Sequence, residues 1–427
     1  MDIHVVRAGE TVSSVAARYG VPAGILAGVN GVAPDAPLAV GQTLVVRHPR
    51  ELHTVAIGES VYSIALHYGL SVRTLYQNNP ALGGRSALYP GQTLVIAYDD
   101  TPTRTLAVNA YSYPFIRGGL LDAALPYLTY LTPFTYGINA DGTLLPLADE
   151  WLLAAAGQYR TAALMHLSTL TEEGRFDNAR STLILEEADA QDALVQSILE
   201  TVQARHYFGL DVDFEYVLPE QREAYAAFIT RLREALNPLG CPVIVALAPK
   251  TSAAQRGLLY EAHDYALLGA AANAVFLMTY EWGYAYGPPM AVAPLGQVRA
   301  VLDYALTAVA PEKIFMGIPL YGYDWPLPFV SGKTRAESLS PVQAVERALR
   351  HDIAIQYDAA AQAPYYHYTD RGEREHAVWF EDARSIEAKL RLADEYHLQG
   401  VGYWNLTRPF PQNWAVLASL FDIETLL

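Results

Sequence analysis

The chain has 427 residues, of which 52% are hydrophobic and 17% charged, and its 29 Lys and Arg against 45 Asp and Glu give a formal net charge of −16. That length exceeds one ordinary core and implies a modular protein of about two to four units. The apolar content excludes a disordered chain, and the acidic balance repels polyphosphates, so nucleic acid is excluded as a partner.

Cys241 is the single cysteine, which forbids an internal disulfide and reads as a small core residue. The eleven histidines show no metal-ligand spacing, so neither a metal nor a cofactor is expected. The start, MDIHVVRAGET, lacks the basic and then apolar stretch of a signal peptide. No apolar run approaches the roughly 18 residues of a membrane helix, and no membrane partner is expected.

Residues 4–20, HVVRAGETVSSVAARYG, return at 53–69 as HTVAIGESVYSIALHYG, and VGQTLVV at 40–46 returns as PGQTLVI at 90–96. In each copy a short strand meets a Gly-Glu turn, and Thr11 or Ser60 is placed to cap a helix with apolar residues at helical spacing. A second short helix ends at Asn30 or Asn79 and a β-branched run closes a βααβ unit. These motifs resemble LysM domains, expected over 1–48 and 51–97. The resemblance implies binding of N-acetylglucosamine-containing glycans, chiefly peptidoglycan or chitin, in a groove that includes Gly9, Glu10, Thr11 and Asn30 in one copy. Gly58, Glu59, Ser60 and Asn79 are the equivalents in the other. Residues 98–104, YDDTPTR, read as a short polar linker.

From 105 to 427 apolar strands alternate with helical stretches, which predicts an α/β fold with a parallel sheet. Strands are expected at 106–113, 130–138, 161–168, 209–217, 243–249, 274–282, 314–323 and 400–406. Eight of them favour a closed (β/α)8 TIM barrel, in which the reacting groups sit at the strands' C-terminal ends. The stretch from about 326 to 378 is too long for a simple connection and predicts a small α+β insertion with its own hairpin beside the cleft.

Gly209-Leu-Asp-Val-Asp-Phe-Glu215 is the decisive segment. Side chains alternate along a strand, so Asp211, Asp213 and Glu215 share the inner face while Leu210, Val212 and Phe214 face the helices. Neighbouring acids start about 6.6 Å apart along the strand, with Glu215 nearest the mouth. Three like charges under one roof hold protons on some members, and a carboxylic acid with a raised pKa is what a glycosidase needs to protonate a leaving oxygen. A calcium loop would need a turn glycine that the segment lacks.

The segment resembles the strand-four motif of family 18 glycoside hydrolases, departing from it at Phe208, where the family carries its first Asp. Met278-Thr-Tyr280, Glu281 in place of a commoner Asp, and Trp404 agree with the same family. Together with the LysM pair, Asn109-Ala-Tyr-Ser-Tyr113 and Trp379-Phe-Glu-Asp-Ala-Arg384 look like its spore cortex-lytic N-acetylglucosaminidases. The resemblance implies Glu215 as catalytic acid, Asp213 and Asp211 as its partners, and Tyr280 as the residue that orients the substrate's acetamido group. Tyr111, Met278, Glu281 and Trp404 would line the sugar pocket, whereas Tyr321, Tyr323 and Trp325 stay undecided between core and site. Location at the spore coat or cortex, or the cell envelope, is likewise implied. A chitinase and a non-catalytic glycan-binding coat protein are the rivals; the motifs do not separate peptidoglycan from chitin.

Overall fold

The computed structural model describes residues 1–171 and 174–427. Eight parallel strands form the barrel: β1 (Arg104–Ser112), β2 (Tyr130–Pro133), β3 (Ala162–Ser168), β4 (Gly209–Asp213), β5 (Val243–Leu247), β6 (Ala274–Leu277), β7 (Ile314–Pro319) and β8 (Gly400–Trp404). They pair in chain order and β8 closes on β1, so the sheet has no open seam. A short final strand, Phe421–Ile423, adds to the outer side of the start of β1.

Period-two alternation sorts the strand residues into two cores. Leu210, Val212, Val243, Val245, Val275 and Leu277 point outward into the large cluster shared with the helices. Ala107, Tyr130, Leu164, Ile244, Phe276 and Phe315 fill the interior. The interior tolerates two phenyl rings because β8 offers glycines opposite them: a Cβ on Gly402 would lie 2.5 Å from the Phe276 ring, and one on Gly400 2.5 Å from Phe315.

Between β7 and β8 the chain builds a five-stranded antiparallel sheet from strands within 322–379 and a helix, Pro341–Arg350, whose start is fixed by a Ser340–Gln343 capping box. Asp324, buried in this sheet, is bonded by Arg347, His376 and Tyr368.

Each repeat pairs its outer strands antiparallel, Asp2–Val5 with Thr43–Val46 and Pro49–Thr54 with Thr93–Tyr98. Two helices pack across each pair, Val12–Tyr19 and Ala23–Asn30 in the first, Val61–His67 and Val72–Asn78 in the second. Thr11 with Ser14 and Ser60 with Ser63 make the same capping box, which satisfies two backbone donors at each helix start.

The repeats are docked on the barrel, and by different surfaces. In the second, Arg73 donates from Nε to the carbonyl of Pro126 at 2.8 Å and from Nη2 to that of Leu128 at 2.5 Å. Gln77 shares the Pro126 carbonyl. In the first, Gln412 donates to the Asn30 side chain at 2.9 Å and the Thr43 carbonyl at 2.6 Å, and Ile355 donates its N–H to the Val40 carbonyl at 2.8 Å. The segment 98–104 is held rather than loose. Asp100 pairs inside the structure with Arg47 at 2.6 Å and with the Met1 amine at 3.1 Å, and the Thr103 N–H reaches the Leu420 carbonyl.

Gly41 and Gly91 occupy the same place in the two repeats, with φ of +83° and +86°, yet a Cβ on Gly41 would lie 2.0 Å from the Ile355 carbonyl oxygen while one on Gly91 meets nothing. Alanine strains both turns by about 1 kcal/mol or more, and only Gly41→Ala also pushes the first repeat off the insertion. Gly41→Ala therefore lowers the melting temperature by several degrees more than Gly91→Ala, and equal losses would mean that the interface bears no load.

Candidate active site

The site is built on β4. The ladder to β3 sets Asp211 opposite His166 and Asp213 opposite Ser168. Ladder pairing stops at Asp213, four residues before the expected strand end at 217, so Glu215 stands on the turn beyond the strand. Phe214 anchors that turn from outside, stacking on Tyr225 at 5.7 Å. His263 ties it to β5: its Nδ1 accepts from the Ala248 N–H at 2.8 Å, so its Nε2–H donates to the Phe214 carbonyl at 3.0 Å. Burial lowers the His263 pKa to about 4, which keeps it the neutral ring this arrangement needs.

Asp211 is fully buried, Asp213 is 6% exposed and Glu215 is half-buried at the cleft lip. Desolvation raises the Asp211 pKa to about 7. Burial, then the charges of Glu215 and Asp211, push Asp213 well above the carboxylate range. Burial, followed by the charge of Glu281, lifts Glu215 to about 7. Among the described residues no cation relieves this stack. His166 Nε2 lies 3.8 Å from a carboxylate oxygen of each aspartate, but burial lowers its pKa to about 3 and keeps the ring neutral. Its Nδ1 is 2.6 Å from the Thr135 hydroxyl.

Above the stack opens a cleft of about 960 Å³, whose walls include Glu215, Met278, Tyr280, Glu281, Trp404 and Arg408. Tyr280 stands against Asp213 and Glu215; burial and then these two charges raise its pKa far above the usual phenol value. Trp404 ends β8 with its ring 4.9 Å from Phe134 and 5.5 Å from Tyr111. Glu281 accepts from the hydroxyls of Tyr321 and Tyr323, the latter at 2.9 Å. Its pKa is raised by burial, and these two bonds oppose the rise.

Strand alternation turns Tyr111 inward, and it lies beneath the cleft floor, 2% exposed among the interior aromatics and beside Asp211. Phe208, in the place of the family's first Asp, packs its ring 5.8 Å from Tyr130 at the lower end of the barrel.

In the repeats, Asn30 and Asn79 are both buried; each donates to two backbone carbonyls and accepts a backbone N–H, fastening the second helix to the last strand, and Asn30 also accepts from Gln412. Gly9 and Gly58 form the expected turns. Glu10 accepts from the Arg7 N–H at 2.9 Å, His4 at 2.7 Å and Arg18 at 2.6 Å. Glu59 accepts from the Ala56 N–H and His53, both at 2.7 Å. The backbone bond, then the histidine, lower the Glu10 pKa to about 2, and the same order of causes lowers Glu59. Thr11 and Ser60 cap their helices.

Sequence inspection misses His166 and Arg408 and leaves Tyr321 and Tyr323 undecided. His166 had a signal, since it shares the inward parity of Ala162 and Leu164 on β3.

Residues 168–408 match the family described as Glycosyl hydrolases family 18, and residues 4–47 and 53–97 each match the LysM domain. The chain is 39% identical to the cortical fragment-lytic enzyme of Bacillus subtilis strain 168, with 99% of each chain covered. The crystal structure of the Bacillus cereus spore cortex-lytic enzyme SleL, 38% identical, is similar with a TM-score of 0.84 over 99% of this chain and 98% of that one. A chitinase from Chromobacterium violaceum, 25% identical, is similar with a TM-score of 0.68 over 74% of this chain and 98% of that one. With the carboxyl stack of β4 inside a closed barrel and two βααβ repeats before it, the chain belongs to glycosyl hydrolases family 18 and carries two LysM domains.

Proposed function

We propose that this protein hydrolyses β-linked N-acetylglucosamine in peptidoglycan, above all in spore-cortex fragments, by a retaining mechanism in which the substrate's own acetamido group is the nucleophile. One observation carries the proposal: Glu215 reaches the cleft from the turn above β4 with its pKa raised to about 7, over a buried Asp213 and Asp211. The full-length similarity to cortical fragment-lytic enzymes supports the cortex as substrate and the spore as location.

Most retaining glycosidases hold a second carboxylate about 5–5.5 Å from the acid as nucleophile, and family 18 is an exception. Glu215 gives its proton to the glycosidic oxygen while the acetamido carbonyl oxygen attacks C1 and the C1–O bond breaks. The Glu215 carboxylate then takes a proton from the water that opens the oxazolinium ring, so the product keeps the β configuration. Asp213 accepts the acetamido N–H as its own proton passes to Asp211, and the pair stabilises the positive ring. Tyr280 donates its hydroxyl to the acetamido carbonyl and fixes it for attack. Trp404 floors the sugar, and Met278 and Glu281 complete the pocket. The exposed turns at Gly9, Glu10 and Thr11, and at Gly58, Glu59 and Ser60, are the parts of the repeats that meet the polymer.

The first test offers purified cortex fragments, vegetative peptidoglycan and chitin oligosaccharides, with products read by mass spectrometry and the anomer by NMR. New reducing-end N-acetylglucosamine of β configuration from cortex is expected. An inverted anomer sinks the mechanism, cleavage of chitin alone makes the protein a chitinase, and binding without cleavage makes it a lectin.

Glu215→Gln removes the acid and lowers kcat by about 10²–10⁴-fold. Because the acid must be protonated, wild-type kcat/KM falls tenfold per pH unit above about 7. A flat profile to pH 9 would assign the acid elsewhere.

Asp211 has a folded pKa of about 7 against 3.8, so the folded state binds the extra proton and this group's stability is full below about pH 4 and lost as pH rises through about 7. Asp211→Asn removes that loss. It melts higher than wild type at pH 8, on the order of 5 °C, with the gain shrinking toward pH 4. A variant that melts lower than wild type at pH 8 contradicts the assignment.

A further inference from the structure

We propose that His166 is a positioning residue of the carboxyl stack, whose Nε2–H serves the negative charge on Asp211 in the resting site and on Asp213 once the acetamido group has attacked. The inference rests on the substrate-assisted reading of the cleft and goes beyond it in naming what lets charge move within the aspartate pair.

The ring is held by its surroundings. His166 is buried on β3, opposite Asp211 in the ladder. The Phe134 ring packs 4.8 Å from it, and the Tyr111 ring stands edge-on at 5.6 Å.

Its proton can be placed from the hydrogen bonds around Thr135. That hydroxyl has one hydrogen to give and four acceptors within reach: His166 Nδ1 at 2.6 Å, the Ser168 hydroxyl and the Tyr136 carbonyl at 3.0 Å each, and the His166 carbonyl at 3.4 Å. The last three already accept backbone N–H groups, from Leu170, Ser168 and Tyr136 in turn. Nδ1 is the nearest and has no other partner among the described residues, so it takes the hydroxyl proton on its lone pair. A neutral imidazole carries one N–H, and here it is on Nε2, the nitrogen that looks at the stack.

Nε2 lies 3.8 Å from Asp211 Oδ2 and 3.8 Å from Asp213 Oδ2. Neither contact is a hydrogen bond in the resting site. Both Asp211 oxygens and Asp213 Oδ1 have no hydrogen-bond partner, which leaves each carboxyl free to turn onto the N–H. Tyr111 stands beside Asp211, and Tyr280 against Asp213 and Glu215; of these neighbours His166 is the one that faces both aspartates at equal distance.

That symmetry matches the reaction. The pair holds one proton and one charge, and Asp211, the easier of the two to ionise, bears the charge at rest. When Asp213 accepts the acetamido N–H its proton passes to Asp211, and the charge moves the other way. A donor equidistant from both stabilises the charge before and after the transfer, whereas a donor fixed on Asp211 would hold it there and oppose the step. A cation in this place would strip the pair of its proton; a neutral N–H stabilises the charge and leaves the proton in the pair.

The experiment uses the full-length protein, cortex fragments as substrate, and a thiazoline made from a disaccharide of N-acetylglucosamine, whose fused ring mimics the oxazolinium. His166→Phe keeps the bulk and removes the N–H. Its thiazoline affinity and kcat are each expected to fall about 10- to 100-fold with KM nearly unchanged. His166→Gln keeps an N–H donor and recovers part of both. In the wild type, NMR of the labelled histidine rings is expected to show His166 neutral and protonated on Nε2, with that proton moving downfield when the thiazoline binds; this measurement stands even where His166→Phe fails to fold. A ring protonated on Nδ1, a positively charged ring in the complex, equal losses in the Phe and Gln variants, or a Phe variant that matches wild type overturns the assignment. A wild type that cleaves its substrate yet does not bind the thiazoline overturns the substrate-assisted reading itself.

Discussion

Three carboxyl groups on one face of one strand inside a closed barrel are the constraint around which the molecule is arranged. Elsewhere this protein buries acids by pairing them. Asp149 has Arg205, Asp324 has Arg347, and the fully buried Glu381 has Lys389 at 2.8 Å. A cation next to a carboxylate lowers its pKa by stabilising the charged form. On β4 the protein does the opposite, placing a neutral histidine where a cation could have gone and leaving both Asp211 oxygens and one of Asp213 without hydrogen-bond partners. The cost of the unpaired groups is met by protonation, which is also what the proposed acid catalysis by Glu215 requires. Stability and function thus draw on the same choice of neighbour, with the free energy of the stack spent on keeping protons at neutral pH.

Position along the strand then separates the roles. Asp211 lies deep enough that solvent never reaches it, while Glu215 has left the ladder and meets the cleft. The turn that carries Glu215 is held from three sides, by Phe214 on the helix layer, by His263 through the Phe214 carbonyl, and by the end of β4 itself. In the proposed mechanism Glu215 must reach a glycosidic oxygen within hydrogen-bond distance, and it gains from a turn that cannot drift.

Much of this is legible in sequence because parallel barrel strands are buried on both faces and read as continuous apolar runs, which is why all eight stand out. Parity along a strand gives the face of a side chain but not its depth, and Tyr111 shows the difference: it is turned inward yet lies one layer below the cleft. Asn30 and Asn79 show another gap. A polar residue at a helix end reads as surface, whereas here the amide stands in for missing backbone partners between a helix and a strand, an arrangement visible only once both are placed. His166 is an inward polar residue on an apolar strand and could have been found. Tyr321, Tyr323 and Arg408 could not, because they lie beyond strand ends and reach the cleft through the fold of the insertion.

Duplication followed by divergence of contact explains the front of the molecule. The two repeats share caps, turns, buried asparagines and a His–Glu pair, so their internal stability comes from the same residues twice. Their outer surfaces differ, since the first meets Gln412 and the insertion while Arg73 of the second grips the carbonyls after the first barrel helix. Two binding modules on a flexible tether raise local concentration over a sphere set by linker length. Here the segment between repeat and barrel is fixed by the Asp100–Arg47 pair, so the repeats stand at a set distance and direction from the cleft.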